Sequence, residues 1–255
     1  MILHLLPTRT AGAAENMALD FLLLQRYPDA AAARFRHYEW RRQAFTFGYS
    51  QKLVDVMAMI QGSGPNALDD SQALERGAYD LCRRPTGGGL VDHRGDWTYA
   101  LVIPRGHPLE ALRAAESYRA IHACIAEALG SQGVPARLEE RGRLADDAGD
   151  GATRSLIPSV CFQGAEVHDV IHSGSGEKIA GAAQKRNKRG LLFQGSIWRA
   201  AAGAAVDWDR FEADFVAGLV RALGVEAERT PWPDLDEDEV SALVEKYSSP
   251  EWNEG

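Results

Sequence analysis

The stretch RRPTGGGLVDHRGDWTYALVIP, residues 83–104, decides the fold class of this sequence. Its centre holds three consecutive glycines between apolar segments with the composition of β-strands, namely Gly87, Gly88 and Gly89. Glycines reach backbone angles that other residues avoid, and they let a ligand approach the main chain closely. Either Arg83 or Arg84 is expected to pair with a carboxylate or phosphate that also contacts the exposed backbone N–H groups. The stretch predicts a ligand-binding turn among strands.

Two familiar nucleotide-binding patterns do not fit this turn. A P-loop would continue with Gly-Lys-Ser or Gly-Lys-Thr, and a dinucleotide fingerprint would continue into a helix, but a strand follows here. A tight turn between core strands remains the alternative to a ligand site. The hydroxyl of Thr86 and the imidazole of His93 favour the ligand site, because histidine side chains can take up and release protons near neutral pH.

The composition excludes several classes of protein. The 255 residues are 45% hydrophobic, which is enough for one sizeable core in a single large domain. The balance of 28 Lys and Arg against 36 Asp and Glu, a net charge of −8, is opposite to that of a general nucleic-acid binder. The sequence has neither a membrane-length apolar run nor a secretory signal. Widely spaced Cys82, Cys124 and Cys161 argue against disulfides and a metal site, and favour the cytoplasm.

Hydrophobic periodicity and turn residues predict the order of elements. Helices are expected at residues 13–27, 52–59, 71–76, 107–129, 206–223 and 237–247. Strands are expected at residues 34–40, 44–48, 90–91, 98–103, 136–139, 167–171, 178–184 and 191–198, the last three forming an antiparallel meander. In the first helix, Asn16 and Asp20 share one face, and their spacing by itself predicts a solvated polar stripe.

Three motifs together resemble the lipoate–protein ligase and octanoyltransferase family, which shares its catalytic fold with biotin protein ligases. They are RRPTGGGLVDH, the pair KIAGAAQKR and QGSI, and NMALD near the N-terminus. The resemblance implies an α/β (α+β) fold of the class II aminoacyl-tRNA synthetase and biotin ligase type, a mixed, mostly antiparallel sheet flanked by helices. It also implies one catalytic domain over residues 1–255, with a core at about 15–225, a C-terminal helix at 235–255 and no accessory ligase domain.

The resemblance implies one of two reactions. An octanoyltransferase takes the acyl group from acyl-carrier protein, holds it as a cysteine thioester and passes it to a lysine of a lipoyl domain or of the glycine-cleavage H protein, without a cofactor. A lipoate–protein ligase uses ATP and Mg²⁺ to form an acyl-adenylate, here with a separate accessory domain. A non-catalytic protein that binds the carrier is the third possibility.

Cys161, in SVCFQG, resembles the cysteine of the LipM type of octanoyltransferase, and this favours the transferase. Lys178 is expected to be its electrostatic partner, because an ammonium lowers a thiol pKa and polarises an acyl carbonyl. If the SGSG segment is a simple hairpin, Lys178 pairs near Ile171 or His172, so Cys161 must reach it on a loop. No metal ligand is expected, and the expected substrate-binding residues are Arg83, Arg84, Thr86, Gly87, Gly88, Gly89, His93, Gly181 and Ala182.

Overall fold

The structure is a computed structural model that describes residues 1–62, 77–141 and 164–254. The helix predicted at residues 71–76 lies outside these ranges, and so does Cys161. In the part of the chain that is described, no helix has the length and apolar character needed to cross a membrane.

The strands and helices alternate along the chain. The strands are β1 (Ile2–Leu5), β2 (Arg9–Ala11), β3 (Ala33–Trp40), β4 (Ala44–Phe47), β5 (Asp80–Arg83), β6 (Val91–Asp92), β7 (Asp96–Pro104), β8 (Ala136–Leu138), β9 (Val170–His172), β10 (Lys178–Asn187), β11 (Gly190–Trp198) and β12 (Glu226–Arg229). The helices are α1 (Ala13–Gln25), α2 (Leu53–Gly62), α3 (Pro108–Ala111), α4 (Ala114–Gly130), α5 (Arg199–Ala202), α6 (Trp208–Leu223), α7 (Glu237–Ser248) and α8 (Pro250–Glu254).

The described strands form two sheets. The larger has the order β12-β1-β3-β7-β11-β10-β9-β8, with β2 paired to β3. From β3 to β8 every neighbouring pair in this order is antiparallel, whereas β1 pairs in parallel with both β12 and β3. The smaller sheet has the order β5-β4-β6. These pairings confirm the predicted mixed, mostly antiparallel sheet and its meander of β9, β10 and β11.

Helices cover both faces of the larger sheet. On one face α4 and α6 enclose the main apolar core, to which α6 contributes Phe211, Phe215 and Leu219. The Asp207 carboxylate caps α6 by accepting the N–H groups of Asp209 and Arg210. On the other face lies α1, which in turn packs against α7, while α2 packs on the smaller sheet.

Two predicted elements are wrong in their extent. The helix predicted at 107–129 is interrupted, because Leu112 and Arg113 have extended backbones and the Glu116 carboxylate accepts the N–H of Arg113 at 3.2 Å to begin a new helix. The strand predicted at 167–171 begins at Val170, because the preceding residues form a turn. Asp169 therefore lies before the strand, and the strand rule that successive side chains point to opposite faces does not fix its direction.

The solvated polar stripe expected on α1 is also wrong. Asn16 and Asp20 are completely buried, because α1 lies on the sheet with this face inward. Spacing within a helix shows which residues share a face, but it does not show which element covers that face.

Candidate active site

A narrow cavity, open at its mouth, lies between the glycine run, the smaller sheet and strands β10 and β11. The β10 and β11 side of its wall consists largely of small residues, namely Gly181, Ala182, Ala183, Gly195 and Ser196. Met17 from α1 and Tyr38 from β3 extend the wall. Small side chains leave the width that an extended apolar substrate needs, so this cavity is the candidate binding site.

Arg84 holds the glycine run in shape. Its Nη2 atom donates to the carbonyl oxygens of Gly87 and Gly89 at 2.9 and 2.8 Å, and its Nη1 atom donates to Thr46 Oγ1 at 2.8 Å. Gly88 adopts a left-handed φ of 87° and lines the cavity. A Cβ atom on Gly48 would lie 1.9 Å from the Gly88 carbonyl oxygen, so the backbone segments at Gly48 and Gly88 can approach this closely only with glycine at position 48.

Arg83 points to a different place. Its Nη1 atom donates to the Tyr49 carbonyl, its Nη2 atom donates to the Asn253 carbonyl at 2.9 Å, and its backbone N–H donates to Asn253 Oδ1 at 2.7 Å. These bonds tie the end of the described chain to β5. Arg84 lines the cavity and Arg83 does not. Anion binding by either guanidinium stays a prediction.

Thr86 begins a buried polar chain that runs behind the cavity. Its hydroxyl donates to Gln194 Oε1 at 2.7 Å, and Gln194 Nε2 donates to Asp20 Oδ2 at 2.6 Å. Asp20 in turn pairs with Arg36 at 2.6 Å, and both side chains are 0% exposed. Burial raises the pKa of the neighbouring Tyr38 hydroxyl well above its ordinary value, so Tyr38 stays a neutral donor to Asp20.

His93 lies in the cavity wall between a carboxylate and a hydroxyl. Its Nδ1 atom is 2.7 Å from Asp96 Oδ2, and its Nε2 atom is 2.7 Å from Thr46 Oγ1. Thr46 Oγ1 accepts a bond from Arg84, so its own hydrogen is available to Nε2, and Nδ1–H then donates to Asp96. The ring also stacks on Trp40, with centroids 4.1 Å apart. Both ring nitrogens and one ring face are therefore held by neighbours.

Lys178 is buried and its side chain packs against Gly181 of the cavity wall. Its Nζ atom is 2.7 Å from Asp169 Oδ2, and the two side chains are 4% and 8% exposed. A Cβ atom on Gly181 would lie 2.8 Å from Nζ, so the lysine side chain crosses this glycine of the cavity wall. Lys178 pairs with Ile171 in the β9–β10 register, which confirms the predicted hairpin. Among the predicted site residues, Arg84, Gly88, His93, Gly181 and Ala182 line the cavity.

The predicted nucleophile, Cys161, lies outside the described residues, so its nearness to Lys178 stays a prediction. The other two cysteines are buried thiols. Burial raises the pKa of Cys82 to about 12 and that of Cys124 to about 11, which keeps both protonated at neutral pH and poorly nucleophilic.

Several residues of the site were missed from the sequence. Gln194 stands in the quoted QGSI motif, but nothing in the sequence indicates its bonds to Thr86 and Asp20. Thr46 looks like an ordinary strand residue. Asp169 falls within the strand predicted at 167–171, whereas the structure places it after a turn, with its carboxylate directed to Lys178. A search for acidic residues opposite the KIAGAAQ strand would have found it.

Relatives of known function resemble this chain over nearly its whole length. An octanoyltransferase LipM of Macrococcus caseolyticus is 28% identical over 283 residues, which span 93% of this chain and 92% of that protein. The octanoyltransferase LipM of Symbiobacterium thermophilum is 28% identical over 290 residues, spanning 98% and 97% of the two chains. These matches confirm the resemblance that the motifs indicated.

Solved structures confirm the fold. A lipoate–protein ligase A bound with ATP superposes with a TM-score of 0.72 at 19% identity, over 100% of this chain and 99% of that one. A bi-partite lipoate protein ligase of Thermoplasma acidophilum gives 0.70 at 19% identity, over 100% and 97%. The family model for the lipoyl protein ligase A/B catalytic domain matches residues 12–207. This chain therefore belongs to the lipoyl protein ligase A/B catalytic domain family.

Proposed function

We propose that this protein is an octanoyltransferase that moves an octanoyl group from acyl-carrier protein to a lysine of a lipoyl domain or of the glycine-cleavage H protein. Two octanoyltransferases LipM align with more than nine tenths of this chain, and this supports the assignment. The proposal depends above all on one feature, a cavity whose small-residue wall ends beside the Lys178 ammonium. Three widely spaced cysteines without a CxxC pattern fit a reducing cytoplasm as its location.

The proposed reaction has two steps and needs no ATP. In the first, the Cys161 thiol gives up its proton and its sulfur attacks the thioester carbonyl of the acyl-carrier protein; a new C–S bond forms, the carrier's C–S bond breaks, and the departing carrier thiolate takes up that proton. In the second, the acceptor lysine amine attacks the enzyme thioester, the amide bond forms, and the Cys161 sulfur and the amine proton leave. The thioester conserves the activation of the acyl group, so no second energy source is required.

The residues of the cavity have separate roles in this reaction. The small wall of β10 and β11 accepts the apolar chain, and the Lys178 ammonium stabilises the negative charge that develops on the acyl oxygen. Arg84 keeps the glycine run in the shape that closes the cavity opposite that wall. His93, held by Asp96 and Thr46, presents a fixed imidazole in the same wall.

The test is incubation with octanoyl-acyl-carrier protein, followed by intact-protein mass spectrometry. One octanoyl group should appear on the wild type and on Cys82→Ala and Cys124→Ala, and it should be missing from Cys161→Ala. Subsequent addition of a lipoyl domain should move the group to the acceptor. Both control cysteines are buried with raised pKa values, so neither competes as a nucleophile.

Two outcomes would replace the proposal. If lipoate with Mg²⁺ and ATP modifies the acceptor and Cys161→Ala stays active, the protein is a lipoate–protein ligase that works through an adenylate intermediate. If neither reaction occurs while carrier binding is retained, the protein is a non-catalytic binder of the carrier.

A further inference from the structure

The carboxylate of Asp169 is fixed from two sides. Its Oδ2 atom lies 2.7 Å from Lys178 Nζ and also accepts the backbone N–H of Glu166 at 2.8 Å. Its Oδ1 atom would lie 3.0 Å from a Cβ on Gly181, so the carboxylate, like the ammonium, packs on the cavity wall. The ammonium is thus held against the wall by a buried partner that lies just before β9.

An unusual backbone conformation directs Asp169 to this place. His168 has a φ of 71°, the left-handed region that non-glycine residues rarely occupy, and no other non-glycine residue in the described ranges has a positive φ. Its N–H donates to the Glu139 carbonyl at 2.7 Å, and its carbonyl lies 2.6 Å from His122 Nδ1. Bonds to Glu139, the residue that follows β8, and to His122 of α4 therefore keep the turn in a conformation that it would not adopt alone.

We infer that Asp169 is a positioning residue for acyl transfer, which holds Lys178 Nζ over Gly181 and keeps it protonated, and that His122 fixes the turn carrying it through the His168 carbonyl. The catalytic meaning of this inference rests on the proposed function, whereas the ion pair itself does not. Asp169 acts through Lys178 and is assigned no contact with the substrate.

The electrostatics of the pair explain why a partner is needed. Burial disfavours an ammonium and lowers its pKa, whereas an opposite charge within about 4–6 Å raises it by about 1–3 units. On α4, His122 faces the pair, and burial lowers its pKa, so at neutral pH it adds no positive charge. His168 lies in the same turn as Asp169. Replacing the Asp169 carboxylate by an amide would remove this negative charge from beside the buried ammonium.

The first experiment measures the titration of Lys178 directly. The protein is labelled with ¹⁵N at lysine Nζ, and the Lys178 signal is assigned by its loss in Lys178→Arg. NMR then follows this signal through a pH series in the wild type and in Asp169→Asn. The pKa of Lys178 should fall by about 1–3 units in Asp169→Asn. Glu177→Gln is the matched control, since Glu177 precedes Lys178 but is exposed, and it should not move the titration. An equal Lys178 pKa in the wild type and Asp169→Asn overturns the inference.

The second experiment measures transfer. Asp169→Asn should lower kcat about tenfold or more, leave KM for the octanoyl carrier within about twofold, and move the alkaline limb of the pH–rate profile to lower pH. A purely structural role would not move that limb. Asp169→Glu, which restores the charge, should restore part of the rate. Unchanged kcat and an unchanged alkaline limb in Asp169→Asn would refute the positioning role.

A second pair of variants covers the case in which Asp169→Asn does not fold. Glycine accepts the left-handed backbone at position 168, whereas valine resists it. The activity of His168→Val should therefore be at most about one tenth of that of His168→Gly, although both variants keep Asp169 and Lys178. Equal activities overturn the inference.

The two proposals can fail separately. The NMR titration needs no turnover, so a protein that transfers no acyl group but shows the Lys178 shift would remove the proposed function and leave the ion pair. An active transferase without the Lys178 shift would support the proposed function and overturn the inference about Asp169.

Discussion

Two buried ion pairs of similar length serve the same cavity in different ways. Arg36 and Asp20 meet at 2.6 Å with both side chains 0% exposed, and Lys178 and Asp169 meet at 2.7 Å with 4% and 8% exposure. The first pair joins the middle of α1 to the middle of β3. The second joins the first residue of β10 to a turn at the cavity edge.

The neighbours of the two pairs differ as well. Arg36 donates to the Asn16 carbonyl at 2.9 Å as well as to Asp20, and Asp20 also accepts from Gln194, so regular elements hold both partners. Asp169 depends on the left-handed turn at His168.

The choice of cation follows from these settings. A guanidinium is always charged and has a planar fork that fits several acceptors, whereas an ammonium is a point charge whose pKa shifts readily on burial. The arginine pair therefore suits a permanent scaffold. The lysine pair suits a site in which the protonation state of the cation affects the reaction.

The largest effect is expected when the scaffold pair is broken. Asp20→Asn keeps the shape of the side chain but leaves the Arg36 guanidinium buried without a counter-ion, so the free energy of unfolding should fall by about 3–5 kcal/mol. Urea denaturation followed by circular dichroism measures this difference. A loss below about 1 kcal/mol would show that Arg36 does not depend on Asp20, and the contrast between the two pairs would no longer hold.

A smaller effect on stability and a large one on activity are expected for Gly181→Ala. The added methyl group would lie 2.8 Å from Lys178 Nζ and 3.0 Å from Asp169 Oδ1, so the lysine pair must move. We expect a loss of about 1–3 kcal/mol in unfolding free energy and a fall in acyl transfer.

Gly130→Ala is the matched control, because Gly130 ends α4 with open space around its Cβ position. It should keep wild-type transfer and stability within about 1 kcal/mol. Full activity of Gly181→Ala would show that the lysine pair tolerates displacement.

The pH dependence of stability tests the surroundings of the lysine pair. Burial lowers the pKa of His122 in the folded protein, so below the unfolded value of about 6.5 the unfolded chain binds a proton that the folded chain does not. Stability should therefore fall as the pH falls from about 6.5 to 5, with a slope of up to about 1.4 kcal/mol per pH unit from this residue.

His122→Asn should flatten this acid limb in urea titrations at a series of pH values. An acid limb of equal slope in His122→Asn and the wild type would mean that His122 is not held neutral beside Lys178.

The smallest effect is expected for an exposed pair. Arg26 and Glu239 lie 2.9 Å apart between α1 and α7, with side chains 51% and 40% exposed. Water and salt screen such a pair, so Glu239→Gln should change the unfolding free energy by at most about 1 kcal/mol. A loss comparable to that of Asp20→Asn would show that burial is not what separates the pairs.

Prediction from sequence succeeded where the determining contacts are local. The cap of Asp207, the apolar face of α6 and the β9–β10 register all follow from residues near one another in the chain. It failed at Leu112 and Arg113, because an interrupted helix retains most of the apolar period of a continuous one.

The sequence by itself determined the glycine run, the antiparallel meander and the family, and it predicts a role for Lys178. Tertiary structure alone decided that Asp20 is buried against Arg36 and that Asp169 reaches Lys178. The reason is physical. Periodicity and turn chemistry report the geometry of neighbouring residues, whereas burial and ion pairing depend on which distant element covers a side chain.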